Sequence, residues 1–301
     1  MSTSKIKNES STEKFFHILI VMLLLALSLS IILPFLNIIA LSFNGGKDAA
    51  KGGIYFWPRA FTLDNYKEVF SDSSIINAYK ITISRTIIGT ALSLFLTAMA
   101  AYALKCKTLP GRKFIMLMIV FTMLFNGGVI PYYMLIKAVH LKNNYLVYII
   151  PGLYSAWNII MMRTFFETIP TSLEESARLD GCGYFGIFFK IILPLSKPVI
   201  AVVALFCAVG HWNDWFTGAF YITNKNLIPV STLLQQMLTN QQKMSSLISN
   251  SHMAASTARM LVTGDSLKMA TVIVTTLPIM CVYPFIQKYF AKGVMIGAIK
   301  E

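Results

Sequence analysis

Charge is scarce in this chain, and catalytic clusters are missing from it. Only 13% of its 301 residues are charged against 55% hydrophobic, and the mean hydropathy is +0.63. A soluble domain carries about 25% charged residues, so that class is excluded. The four cysteines, Cys106, Cys182, Cys207 and Cys281, stand singly with no C-x-x-C pair, which leaves no thiolate metal site and no dithiol redox motif. His17, His140, His211 and His252 are equally scattered, and neither an H-E-x-x-H motif nor a carboxylate cluster accompanies them. No G-x-x-x-x-G-K-[ST] occurs, so the chain has no P-loop for ATP. These absences point away from an enzyme and leave no cofactor or metal to expect. If ATP drives the protein, another subunit hydrolyses it.

Long apolar runs take the place of these features. Runs nearly free of charge cover 18–43, 86–104, 114–136, 143–162, 198–224 (broken only by Asp214) and 269–287. Most reach the ~20 residues a helix needs to cross a bilayer core. The expected fold is all-α, a polytopic membrane protein with six transmembrane helices. The second helix extends back to about Ile75 and carries Lys80 and Arg85 near its outer end. The first run follows Lys5, Lys7 and Lys14 and lacks a small-x-small cleavage site followed by polar sequence, so it reads as a retained helix kinked at Pro34. Residues 1–14, rich in Ser, Lys and Glu, read as a disordered cytoplasmic tail, and 15–301 as one helical membrane domain without a clean repeat.

Basic residues divide almost evenly between the two sides, 14 inner and 12 outer, if both termini are cytoplasmic. The sharper signal is the short loop with Lys105, Lys107, Arg112 and Lys113 and no acid, whereas the 44–74 loop mixes both signs. Both features favour cytoplasmic termini. The net charge of +13 then reflects attraction of basic loops to anionic membrane lipid, with no nucleic-acid partner.

A polar island, Glu175-Ser-Ala-Arg-Leu-Asp-Gly181, precedes Ile191-Ile-Leu-Pro194. Pro170 leads into two overlapping capping boxes, Thr171 to Glu174 and Ser172 to Glu175, which predict a helix from about residue 172. Leu173, Ser176 and Ala177 share one face, and two of the three are small enough to let another protein approach closely. Gly181 and Gly183 are free to adopt the positive φ that ends the helix, and a second helical stretch follows over Tyr184 to Leu193. The spacing Glu-x-Ala-x3-Gly-x9-Ile-x-Leu-Pro resembles the coupling loop of bacterial ABC-importer permeases, with Ser176 where the family usually has Ala. The resemblance implies a coupling loop over 171–193 that receives force from the ATPase through Glu174, Glu175, Ser176, Ala177, Asp180, Gly181, Leu193 and Pro194.

Further motifs look like the carbohydrate branch of that family, most similar to the inner-subunit type of maltose and complex-oligosaccharide importers. They are Phe125-Asn-Gly-Gly-Val-Ile-Pro131, Leu153-Tyr-Ser-Ala-Trp-Asn158, Met162-Arg-Thr-Phe-Phe166, Val209-Gly-His-Trp-Asn-Asp-Trp215 and Gly293-Val-Met-Ile-Gly-Ala-Ile-Lys300. The resemblance implies a permease domain over 15–301 in the bacterial cytoplasmic membrane, working by alternating access. Its implied partners are a sister permease in a heterodimer, two ATP-binding cassette subunits, an extracytoplasmic sugar-binding protein and a sugar or oligosaccharide substrate. A permease for polyamine or phosphonate would share the coupling loop, but the tryptophan motif and the C-terminal tail argue against it. An independent secondary carrier would show inverted repeats or intramembrane ion-coupling carboxylates, and neither is visible.

For the substrate pathway two readings stand side by side. Trp212, Asn213, Asp214 and Trp215 lie roughly 22 Å along the fifth helix from Lys197 at about 1.5 Å per residue. Aromatic rings with polar neighbours suit sugars, and they equally suit an interfacial belt. Asn126 and Asn158 fit a polar pathway or interhelical hydrogen bonds. Gly127 and Gly128 predict a break in the third helix. Lys80 and Arg85 fit contact with an acidic sugar, snorkelling, or pairing with a carboxylate. The polar 221–267 loop fits a docking surface for the binding protein or a solvated connector.

Overall fold

The computed structural model describes residues 11–49, 51–250 and 266–278, together with Met280, Cys281 and Pro284. The expected tail at 1–10, the stretch 251–265 of the outer loop and the Gly293–Lys300 motif lie outside the described residues. Among the described residues the regular elements are all helical, with one isolated bridge between Asn44 and Phe61. By internal contacts the chain divides into two units, Met1–Val69 with Gln241–Ile273 and Phe70–Asn240 with Val274–Glu301.

The first unit begins with helix α1, Ser11–Ser42, so residues 11–14 are helical. It runs through Pro34 as one helix, and its apolar side chains are exposed over most of its length, as a lipid-facing span requires. The loop that follows is tied down by polar bonds. Asn44 Oδ1 accepts from the Ala60 N–H at 2.8 Å, Asn65 Nδ2 donates to the carbonyls of Ser42 and Asn44, and Arg59 Nη2 donates to the Gly52 carbonyl at 2.7 Å. The Phe43 ring lies against Phe61 and Tyr66, with centroids 5.5 and 4.9 Å away.

The second unit is organised on helix α2, Ser73–Lys105, which starts where the Asp72 carboxylate accepts from the Ser74 N–H at 2.8 Å. Its buried stripe Ala78, Thr82, Arg85, Gly89, Ser93, Thr97 and Ala101 recurs every three or four residues and, Arg85 apart, is small or hydroxylated. Such a stripe lets helices approach closely where lipid supplies no hydrophobic drive between them. Ile83, Ile87 and Leu92 stay exposed on the same helix.

Most of the later apolar runs bend. Helices α3, Arg112–Leu124, and α4, Val129–Ala138, meet at 118°. The expected break is present there. Gly128 has φ +84°, and Asn126 Oδ1 accepts from its N–H at 3.0 Å. Two 3₁₀ turns over Tyr145–Leu153 join α5, Ala156–Glu167, at 44°. The coupling stretch contributes α6, Thr171–Leu179, and Tyr184–Leu195, which turns by 84° into α7, Lys197–Asn213. The chain continues through α8, Phe216–Tyr221, α9, Val230–Asn250, and α10, Ser266–Pro278. Among the described residues two helices are long and apolar enough to cross a membrane unaided, and up to five spans result if each bent pair counts once.

Helices α2 and α7 meet most intimately at Gly89. A Cβ there would run into the His211 imidazole, and one at Gly152 would lie 3.0 Å from His211 Cε1. His211 thus fills a slot made by two glycines from distant segments. Gly89→Val is expected to force α2 and α7 apart at a cost of roughly 1–3 kcal/mol. A lower thermal midpoint in detergent would register the loss, and a Gly89→Ala, His211→Ala double variant should recover part of it.

Candidate functional site

The stretch 171–193 folds close to where its sequence places it, with three corrections. Helix α6 begins at Thr171 with Pro170 as its N-cap and no side-chain cap, so neither expected capping box forms. Thr171 and Ser172 are drawn into the first turn, and the Glu174 carboxylate accepts from the Lys105 ammonium at the end of α2. Next, Ala177 does not share an outward face with Leu173 and Ser176. It is 8% exposed and packs in a cluster with Met162, Phe166, Ile187 and Phe188. The exposed residues of α6 include Leu173, Glu175, Ser176 and Leu179, the last 89% exposed, besides Thr171, Ser172 and Arg178. Finally, Gly183 has φ −73°, so only Gly181, at φ +80°, supplies the left-handed residue.

The turn at Gly181 closes the helix end. The Cys182 N–H donates to the Ala177 carbonyl at 2.9 Å and the Gly181 N–H to the Arg178 carbonyl at 3.0 Å, the paired bonds of a Schellman motif. Asp180 is the exposed C-cap, and the Arg178 guanidinium lies 4.9 Å over the Tyr184 ring. Leu193 packs against the buried cluster, while Pro194 sits exposed just before the 84° bend. Nearby, Glu167 accepts from Arg112 at 3.0 Å and from Arg163 at 2.6 Å, joining the start of α3 to the end of α5.

The other cluster lies where α7 stops. Asp214 is its C-cap, and its Oδ1 accepts from the Thr217 N–H at 3.0 Å to start α8. The freed carbonyls find donors. Arg85 Nη2 donates to the Asp214 carbonyl at 2.8 Å, the Trp212 carbonyl at 3.4 Å and Ser231 Oγ at 3.1 Å. Arg85 is 0% exposed, its Nη1 lies 3.8 Å from Asp214 Oδ2, and its guanidinium stands 4.9 Å over the Tyr148 ring. Ser231 Oγ and Thr232 Oγ1 complete the set on the carbonyls of Asp214 and Trp215, at 3.0 and 2.8 Å. Of the roles open to Arg85 in the sequence, pairing with a carboxylate is the one the structure realises. Lys80 is exposed.

The break divides the expected pathway residues between two cavities. Asp214 and Asn158 line one of about 390 Å³, with Tyr132, Tyr148, Ser155, Cys207, His211 and Thr217. Trp212, Asn213 and Trp215 line another of about 180 Å³, with Ser231, Gln235 and Thr275. Asn158 Nδ2 reaches Cys207 Sγ at 3.5 Å, and Trp212 Nε1 donates to the Thr275 carbonyl at 3.1 Å. Asn126 lines neither cavity and serves the α3–α4 bend. Sequence reasoning missed His211 as a lining residue, because its slot depends on glycines far away in the chain.

Bent apolar helices around a polar cavity, with a hydrogen-bonded unwound turn beside it, suit a membrane permease component. Residues 108–296 match the family described as binding-protein-dependent transport system inner membrane component, and the chain belongs to that family. It is therefore a multi-pass membrane component of an ABC transporter, and not its catalytic ATPase subunit. The chain is 39% identical over 287 residues to the polygalacturonan/rhamnogalacturonan transport system permease protein YtcP of Bacillus subtilis (strain 168), covering 95% of this chain and 99% of the relative. It is 40% identical over 276 residues to Protein LplC of the same organism, covering 89% of each. A chain in the crystal structure of a bacterial ABC transporter involved in the import of the acidic polysaccharide alginate superposes with a TM-score of 0.82 at 30% identity, covering 94% of this chain and 99% of that one.

Removing the guanidinium should be severe. Arg85→Met leaves two carbonyls without a charged donor and Asp214 without its counter-charge, and loss of one partner of a buried pair costs about 3–5 kcal/mol. Asp214→Asn should cost less, since its carbonyl still accepts from Arg85 and the amide oxygen still caps α8. Thermal unfolding of the two variants in detergent orders them; equal midpoints would contradict the assignment.

Proposed function

We propose that the chain imports sugars or oligosaccharides as one permease of an ABC importer, through the cavity beside the Asp214 break. The observation that carries this reading is its 39% identity along 95% of its length to a polygalacturonan/rhamnogalacturonan permease. Relatives for arabino-oligosaccharides and maltodextrins at 26–27% identity support a sugar over a polyamine or phosphonate. The cavity chemistry agrees, because the rings of Tyr132, Tyr148 and Phe206 offer apolar faces and Ser155, Asn158, His211, Asp214 and Thr217 offer hydrogen bonds.

In this reading the chain crosses the membrane six times, the sixth span beginning in α10, with both termini and the α6 loop on the cytoplasmic side. A sister permease completes the translocation path, two ATP-binding cassette subunits drive the pair with one docked on this chain's loop, and an extracytoplasmic binding protein delivers the sugar. ATP-driven closure of the cassettes moves α6, and the bundle alternates its access from one side to the other. Because Ala177 faces inward, the docking face is Leu173, Glu175, Ser176 and Leu179.

Acidic oligosaccharides are the first to test, since two of the similar transporters are described for acidic polysaccharides. The complete complex in proteoliposomes should hydrolyse ATP faster and accumulate label when its binding protein carries oligogalacturonate. Stimulation and uptake by a non-sugar solute alone, with no response to any oligosaccharide, would overturn the proposal.

Gly181 supplies a second check. A valine there must adopt φ near +80°, which its branched side chain resists, so Gly181→Val should distort the Schellman turn that sets α6. Uptake should fail while the cassettes still co-purify. Normal uptake by that assembled complex would remove the role given to the turn.

A further inference from the structure

Two routes lead from the coupling helix to the cavity, and they differ in stiffness. The route along the chain is soft. From α6 it passes the left-handed Gly181, a π-helical turn at Phe188–Ile192 and the 84° bend before α7. Each is a place where a helix yields. The other route crosses at once from α6 to α2, a single unbroken helix from Ser73 to Lys105.

Helix α2 is fastened by charge at its last residue and again at Arg85, within its first half. Lys105, its last residue, pairs with Glu174 in the first turn of α6, and the two side chains are only 9% and 13% exposed. A pair so sheltered loses hydration at both charges and needs good geometry to persist, unlike a solvated surface pair. Twenty residues toward the other end, about 30 Å at ~1.5 Å per residue, Arg85 grips the carbonyls of the α7 break. Between them Gly89 accommodates His211, which lines the larger cavity.

We propose that Lys105 and Glu174 are positioning residues for transport: their ion pair makes α2 the strut that carries movement of α6 to the Asp214 break and the cavity beside it. The inference rests on the importer reading above. Movement of α6 draws Lys105 with it, and a helix hydrogen-bonded along its whole length passes the displacement to Arg85 and Gly89. There the unwound residues after α7 are the part free to yield. Neither Lys105 nor Glu174 touches the sugar in this scheme.

The test measures oligosaccharide taken up per ATP hydrolysed by the full complex in proteoliposomes, with cassette retention measured by pull-down. The variants are Lys105→Glu, Glu174→Lys, their charge-swapped combination and the milder Lys105→Gln. The single variants should keep the cassettes yet take up at least about fivefold less sugar per ATP, the lower end of known coupling free energies. The swap should recover most of the loss. A wild-type ratio in the single variants overturns the proposal, and so does loss of the cassettes, which would make the pair an assembly contact. Failure of the swap to recover the ratio overturns it too. If Lys105→Glu does not reach the membrane, Lys105→Gln and the swap decide in the same way. A wild-type complex that hydrolyses ATP but imports no oligosaccharide would sink the importer reading itself, a result distinct from any of these.

Discussion

One buried guanidinium makes the rest of this structure possible. A helix that stops among packed neighbours leaves carbonyls in need of donors, and each costs several kcal/mol if buried bare. Helix α7 stops at Asn213, and Arg85 from α2 meets that cost by donating to the carbonyls of Trp212 and Asp214. The charge this introduces is balanced by the Asp214 carboxylate and the face of Tyr148. One nitrogen, Nη2, serves these acceptors, while Nη1 faces the Asp214 carboxylate and the guanidinium lies over the Tyr148 ring. The unwound turn, the start of α8 and the wall between the two cavities all follow from this arrangement.

The same helix explains how a charged side chain came to be buried there. The small stripe of α2 admits α7 closely enough for Arg85 to reach across, and Gly89 leaves room for His211 at the next turn of the stripe. Farther along, Ala98 and Ala101 join the cluster of Met162, Phe166 and Ala177, so the coupling helix is seated on the bundle by apolar contact as well as by the Lys105–Glu174 pair. Loop position and cavity shape therefore share one scaffold.

Local features of this scaffold were legible in the sequence. The apolar runs announced a helical membrane protein, Asn126 with Gly127 and Gly128 announced the α3–α4 bend, and the start of α6 and the turn at Gly181 followed from proline and glycine chemistry. Long-range choices were not. Helical spacing groups Leu173, Ser176 and Ala177, but only the packing of α5 and Tyr184–Leu195 decides that Ala177 turns inward. The capping box from Thr171 to Glu174 loses its acid to a partner, Lys105, that lies on another helix. Trp212, Asn213 and Trp215 part from Asp214 because the helix ends between them, and a periodicity argument assumes it continues. The end-to-end match at 39% identity supports the importer family reached from the coupling-loop spacing.

Cys207 offers the most direct test that the larger cavity is the sugar path, because its thiol lines that cavity beside Asn158. With Cys106, Cys182 and Cys281 replaced by serine, the rate at which a charged methanethiosulfonate modifies Cys207 can be followed in the assembled complex. Sugar entering the cavity during ATP turnover should shield the thiol and slow its modification relative to the sugar-free complex. An unchanged rate during active uptake would mean that the sugar passes elsewhere, and the role given to the Arg85-held break would fall with it.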